Sequence, residues 1–184
     1  MFVKNGENTS AKREISVTGG TFSSDVSAYV AKGYVQNENG TVEQLGETNA
    51  VAKVGDTYYK TLADAVAAVQ NGGTITLLKD AELTSTLNLA KNITIDGQGK
   101  YSFTVGSDNK TYCVLYVSGE VTLKDVTVNG NEKCRVIFCD KGKLTIDGAT
   151  ITNGKAPNFI GGVYMTSSAS FEMKSGSITG NKNA

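Results

Sequence analysis

Histidine and tryptophan are absent from the 184 residues, proline occurs once, and cysteine occurs three times. Without histidine the chain lacks the commonest metal ligand, and catalytic triads that use histidine as the base are excluded. Cys113, Cys134 and Cys139 have no CxxC spacing, which argues against a zinc site. We expect buried thiols, and the spacing leaves open a bridge from Cys113 to either of the others. The sequence therefore predicts no metal site and no cofactor.

An excess of one charge is also missing, because 18 basic residues balance 18 acidic ones. With no Lys/Arg cluster, we expect neither a nucleic acid partner nor an anionic membrane surface. No apolar run approaches the ~20 residues that span a bilayer, and the first ten residues lack the apolar segment of a signal peptide. Two interpretations remain: a cytosolic protein, or a fragment of an exported one. The stop at ITGNKNA, directly after a strand-like segment, favours the fragment.

What the chain does contain is a repeated short segment. VTLKDVTVNGN, LTIDGATITNG and FEMKSGSITGN begin at Val121, Leu144 and Phe171, at offsets of 144 − 121 = 23 and 171 − 144 = 27 residues. A looser copy begins at Ile93. Alternating apolar residues predict an inward face, and Asn and Gly predict the corners. Irregular periods in the twenties are typical of a solenoid, so the predicted fold is an all-β, right-handed parallel β-helix of about four coils.

One α-helix is predicted upstream of the coils, at about residues 61–71. Thr61 is a candidate N-cap, with Asp64 three residues later in a capping-box arrangement. A narrow apolar stripe follows, formed by Leu62, Val66 and Val69. The Asn-Gly-Gly at residues 71–73 should end the helix. We expect it to cap the apolar end of the solenoid in residues 51–184.

Residues 1–50 have a different pattern. Ile15–Ser23 is predicted to form a rung-like strand, followed by a short helix near Asp25–Ala31 and a hairpin around Asn39-Gly40. We interpret this region as the possible tail of a preceding β-helix block.

Two stretches of the sequence resemble known proteins. YYKTLADAV, GGTITLL and NITIDGQG resemble the N-terminal cap and first coil of pectin-lyase-like β-helix proteins. GGVYM and FEMKSGSITGN resemble repeats of large surface proteins of Gram-positive bacteria. The resemblance covers about residues 50–184 and implies a secreted or cell wall-associated location. Lyases of this superfamily use acidic clusters for calcium and a basic residue to abstract a proton, and its hydrolases use grouped aspartates. Neither constellation is found in this sequence.

Outward columns are the candidate functional positions of a β-helix. Four residues each follow an inward-facing position, and the sign of their charge should alternate from coil to coil: Asp96, Lys124, Asp147 and Lys174. A lysine between two aspartates argues against calcium, so we interpret this column as a structural charge ladder. Threonine columns are predicted beside it, formed by Thr94, Thr122 and Thr145, with Glu172 at the end, and by Thr127, Thr150 and Ser177. Flat threonine arrays can bind ice, but the neighbouring charges argue against that role.

The strongest ligand-binding candidate is an aromatic column formed by Tyr116, Phe138 and Tyr164. If the residues before them point inward, these rings point outward, one per coil, and could stack on sugar rings. Arg135 is two residues before the inward Ile137 and would share its face in a regular strand. The outward orientation of the rings therefore requires Arg135 to lie at a corner. In the opposite phase the aromatic rings are core.

We therefore expect a non-catalytic segment of a secreted or cell-surface β-helix protein. It would act as an adhesin, stalk or glycan-contacting module, with a glycan or host-surface ligand as its partner. One alternative is a polysaccharide lyase or hydrolase fragment that lacks its catalytic coils. Another is a structural module that self-associates through an uncapped C-terminal coil, Phe171–Thr179.

Overall fold

A computed structural model describes residues 14–106, 111–156 and 160–183. The chain divides into two compact units, residues 1–44 and 45–184. In the first unit, β1 (Gly20–Thr21), β2 (Tyr34–Gln36) and β3 (Thr41–Gln44) form an antiparallel sheet in the order β1-β3-β2.

The first unit differs in detail from the sequence-based expectations. Its first strand is only two residues long and pairs antiparallel with β3. A single 3-10 turn at Ser27–Tyr29 stands where a short helix is predicted. The hairpin between β2 and β3 turns through Asn39 and Gly40, and Gly40 has a φ of 83° that favours glycine. The link to a preceding β-helix block stays a prediction.

The second unit is a β-solenoid of four complete coils and part of a fifth. It begins with β4 (Ala52–Val54), β5 (Thr57–Tyr59) and α1 (Leu62–Ala68). The first two coils consist of β6 (Thr74–Leu77), β7 (Ala81–Leu83) and β8 (Leu87–Leu89), then β9 (Ile93–Asp96), β10 (Ser102–Val105) and β11 (Cys113–Val117). The third consists of β12 (Glu120–Lys124), β13 (Thr127–Asn129) and β14 (Arg135–Cys139). The rest consists of β15 (Gly142–Asp147), β16 (Thr150–Thr152), β17 (Lys155–Ala156) and β18 (Val163–Met165), then β19 (Ala169–Met173), β20 (Ser177–Thr179) and β21 (Lys182–Asn183).

Equivalent strands of successive coils pair in parallel and form three main sheets. The first sheet contains β6, β9, β12, β15 and β19, and β4 and β5 extend it antiparallel. The second contains β7, β10, β13, β16 and β20, and the third contains β8, β11, β14 and β18. Leu123 pairs with both Ile95 and Ile146, as the repeat alignment predicts. The predicted parallel β-helix is confirmed.

The core is a set of inward columns that continue from coil to coil. Ile95, Leu123 and Ile146 are fully buried in the first sheet, and Val128 and Ile151 are fully buried in the second. In β9 and β13 the outward neighbours are half-buried, so the period-2 pattern of the sequence gives the sidedness of these strands.

Between the first and second sheets the chain turns within two residues in the third and fourth coils. Gly148 makes this turn in the fourth coil, with a φ of 78°. The positive φ favours glycine, and a Cβ at this position would also displace the carboxylate of Asp125 in the coil beneath.

Helix α1 begins as predicted and ends earlier. Thr61 Oγ1 accepts a hydrogen bond from the Asp64 amide at 3.0 Å and donates one to Asp64 Oδ2 at 2.6 Å. The helix ends at Ala68, before the predicted Asn-Gly-Gly, because Val69 takes an extended conformation. That conformation places the Val69 side chain fully inside the core with Leu62 and Ala65. Val66 of the predicted stripe is half-buried and packs against the same core, while Ala65 is an inward member that the stripe did not include.

Lys91 ties the C-terminal end of α1 to the first coil. Its Nζ donates hydrogen bonds to the carbonyl oxygens of Val66, Ala67 and Val69 at 3.2, 2.8 and 2.7 Å. A cation at this end also interacts favourably with the helix dipole. The single side chain thus satisfies helix-end carbonyls that would otherwise need water.

We predict that Lys91→Met lowers the free energy of unfolding by about 1 kcal/mol, because the helix end loses its cation and its donors while the aliphatic stem is kept. Urea denaturation followed by circular dichroism measures the change. Lys133→Met, at an exposed lysine away from α1, is the matched control and should leave stability unchanged. Equal effects of the two substitutions would contradict the assigned role of Lys91.

Candidate binding surface

The aromatic residues of the third sheet lie directly above one another. Tyr116 pairs in register with Phe138, and Phe138 with Tyr164. Their ring centroids are 5.5 and 5.2 Å apart, with interplanar angles of 13° and 17°. All three side chains are half-buried, whereas Leu115 and Ile137 beneath them are fully buried. These rings, called the aromatic stack below, therefore lie on the outer face of the solenoid.

Arg135 lies on the same side as the aromatic stack although its parity is that of Ile137. Val136 and Ile137 are both fully buried, so the alternation of sides is interrupted at the start of β14. Arg135 is the first residue of β14 and not a corner residue, so the expected corner is wrong and the interrupted alternation is what lets the rings point outward. The register partner of Arg135 is Cys113, the first residue of β11, which is the same place in the preceding coil.

The Arg135 guanidinium is buried against aromatic rings. Its Cζ lies 4.7 Å from the ring centroid of Tyr112 and 4.8 Å from that of Tyr164, and only 1% of the residue is exposed. Nε donates to the Ile160 carbonyl oxygen at 2.9 Å, and Nη1 donates to the Tyr112 hydroxyl. A cation so enclosed needs such partners. The arrangement makes Arg135 a support for the rings, with little surface left for a ligand.

Tyr112 belongs to this surface, although the repeat alignment missed it. Its ring packs edge-on against Phe138, with centroids 5.6 Å apart and an interplanar angle of 61°. It is 58% exposed, more than any member of the aromatic stack. Tyr112 directly precedes Cys113, whose register partner in the next coil is Arg135. The residue equivalent to Tyr112 in that coil is therefore Cys134, which directly precedes Arg135. Column alignment could not reveal it, because no aromatic residue repeats there.

The stack differs from a flat platform of side-by-side rings. Phe138 lies between Tyr116 and Tyr164, so both of its faces are covered and only its edge meets solvent. The Tyr116 hydroxyl donates a hydrogen bond to Asp140, which raises the pKa of Tyr116 above its ordinary value. A ligand would therefore meet ring edges, tyrosine hydroxyls and the exposed ring of Tyr112.

The charge ladder lies on the first sheet and consists of two ion pairs. Lys124 Nζ is 2.9 Å from Asp96 Oδ2, and Lys174 Nζ is 3.9 Å from Asp147 Oδ2. The hydrogen bond that Lys124 donates to Asp96 is the main cause of the raised pKa of Lys124. Because both lysines are about half exposed, salt will screen these pairs and their effect on stability is small. Within the described ranges, no three His, Cys, Asp or Glu side chains form a group that could hold a metal ion.

The three cysteines are free thiols buried in the solenoid. Burial raises the pKa of Cys113 to about 11, and it also raises the pKa values of Cys134 and Cys139. The bridge that the spacing leaves open is not formed. Since the thiolate is the reactive species, all three should be inert in the folded protein.

Comparison with known proteins gave no relative: no family model, no curated protein and no solved structure matches the chain. No helix in the described part of the chain is long and apolar enough to cross a bilayer. Arguments about function therefore rest on the side chains of the solenoid, because a fold of this kind supports many functions.

We predict that iodoacetamide at pH 8 leaves the native protein unmodified and alkylates three thiols in denaturant, because burial and the raised pKa values keep the thiols protonated and inaccessible. Mass spectrometry of the intact chain counts the adducts. Rapid alkylation of the native protein would contradict the burial of these residues.

Proposed function

We propose that the chain is a non-catalytic segment of a secreted or cell-surface β-solenoid protein. In this role the solenoid is a stalk, and its aromatic stack, with Tyr112, contacts a glycan. The resemblance of the cap and repeats to pectin-lyase-like proteins and to Gram-positive surface proteins supports the extracellular location. The observation that carries the proposal is the outward aromatic surface, with ring edges, tyrosine hydroxyls and one exposed ring on a rigid sheet.

The engagement of the carboxylates supports a non-catalytic role. Asp96, Asp147 and Glu172 each pair with a lysine of a neighbouring coil. Asp96 and Asp147 are separated along their column by Lys124, and Glu172 lies in the threonine column, whereas glycoside hydrolysis needs two carboxyl groups facing one bond. Near the aromatic stack, Arg135 is enclosed by rings and offers no exposed base. Polysaccharide lyase or hydrolase activity is thus the weaker proposal.

Self-association is a second candidate, favoured by the last described rung. Phe171, Met173 and Ile178 are 41–42% exposed, although they continue the inward columns of Leu144, Ile146 and Ile151, which are fully buried. Apolar side chains and strand edges in one place favour contact with a second copy of the chain.

We predict that a glycan array detects binding by the protein, and that the double substitution Tyr116→Ala and Tyr164→Ala weakens it about tenfold or more. The reason is the loss of aromatic contact area, and Tyr112→Ala should weaken binding similarly. Tyr29→Ala is the matched control, because Tyr29 is half exposed in the first unit.

Two results would count against this proposal. One is equal binding by the variants and the unchanged protein. The other is the release of unsaturated oligosaccharides from pectin or alginate incubated with the protein, which would favour the lyase.

For the second candidate, we predict that the protein forms dimers or larger species as its concentration rises, and that Phe171→Glu keeps it monomeric by placing a charge in the apolar contact. Sedimentation velocity at a series of concentrations gives the distribution of species. Ile15→Glu, at an exposed apolar residue of the first unit, is the control that should still associate. A monomer at all concentrations would exclude this role for the isolated chain.

A further inference from the structure

A groove with a volume of about 310 Å³ lies on the outer face of the first sheet. Its floor is a column of threonines on adjacent strands, in which Thr122 pairs in register with both Thr94 and Thr145. This face belongs to a different sheet from the aromatic stack, so the groove and the stack are separate surfaces of the solenoid.

Long side chains on both sides turn the threonine column into a groove. Residues two positions away on a strand share its face, so the row of Glu120 and Lys143 borders the threonine column on one side and the row that contains Lys174 borders it on the other. The rim rows on the two sides of the threonine column are four residues apart along each strand, or roughly 13 Å at about 3.3 Å per residue. Toward the last rung, Glu172 takes the place of a threonine in the floor column and forms an ion pair with Lys143 of the adjacent rim. The groove therefore runs along the solenoid axis, and an ion pair replaces the threonine floor at that end.

The floor presents hydroxyl groups that the protein does not use. Neither the Thr94 nor the Thr122 hydroxyl makes a hydrogen bond to another residue in the described ranges, and both side chains are half-buried. On the second sheet, by contrast, Ser177 Oγ and Thr150 Oγ1 lie 3.3 Å apart and share a hydrogen bond. Thr145 is only 6% exposed, so the accessible part of the floor is Thr94 and Thr122.

The charges of the groove cancel. Its lining contains Glu120 and Glu172 against Lys143 and Lys174, and no aromatic ring. Lys143 and Lys174 are already paired, with Glu172 and Asp147 respectively. An anionic or cationic polymer would find no net field here, whereas a neutral polyol would find donors and acceptors of both kinds.

We infer that this groove binds a neutral linear oligosaccharide lying along the solenoid axis, held by the hydroxyls of Thr94 and Thr122 and by the polar rims. The inference rests on the proposed function for the class of ligand, and it assigns that ligand a second site. Without an aromatic ring to stack on, binding should be weak, with a Kd on the order of 1 mM.

The test is a titration of the uniformly ¹⁵N-labelled full chain with cellotetraose, a neutral linear tetrasaccharide, followed by NMR. We expect saturable shifts of the amide signals of Thr94, Thr122 and Thr145. Thr122→Val keeps the shape and the β-branch and removes the hydroxyl, so the Kd should rise roughly three- to tenfold. Thr127→Val, at an equally half-buried outward threonine of the second sheet, is the matched control and should leave the Kd unchanged. If Thr122→Val fails to fold, Thr94→Val replaces it.

Several outcomes separate this inference from the proposed function. Absence of shifts at the groove amides, or an unchanged Kd in Thr122→Val, overturns the groove. Equal affinity of the groove for tetragalacturonate, an anionic tetrasaccharide, overturns the preference for a neutral ligand. Shifts confined to the surroundings of Tyr116 and Tyr164 overturn the groove and leave the proposed function standing. Groove binding that persists while array binding is unaffected by the aromatic substitutions overturns the aromatic contact alone.

Discussion

Main-chain hydrogen bonding between successive rungs is the constraint on which the rest of this structure depends. Each strand of a coil pairs in parallel with its equivalents above and below, so every residue stands over a fixed partner about 4.8 Å away. A slip of one residue would move Leu123 or Ile146 from the core to solvent. The inward columns hold the register, and the register in turn decides which outward side chains meet.

The outward columns are consequences of that register. At one rung of separation, rings lie face to face, opposite charges pair, and threonines form a continuous floor. None of these features exists within a single repeat. A binding surface on this solenoid is built from one residue per coil, and its length depends on the number of coils that keep the column. This is why the repeated motif is structural and the columns carry the candidate functions.

Much of this was predictable from local patterns. The offsets between repeats gave the register of Leu123 on Ile146, and Thr61 with Asp64 marked the start of α1. The predicted C-terminal end of α1 was wrong, because Val69 gains more from burial in the core than from another helical turn. Tyr112 was missed because it has no aromatic equivalent in the next coil, so only its contacts with Phe138 and Arg135 reveal it.

Alternation of apolar residues and the Asn-Gly corners are local properties, so the chain alone was sufficient to define the repeat, the inward faces of the first two sheets and the start of the capping helix. The side on which Arg135 lies depended on an interruption of that alternation at Val136 and Ile137, which no periodic pattern can express. The rim and floor of the threonine groove likewise come from strands 23 to 28 residues apart in sequence, as Thr122 with Thr145 and Thr122 with Thr94 show. Such surfaces arise only when coils stack, because they depend on how the length and charge of each side chain match those of its neighbours in the coils above and below.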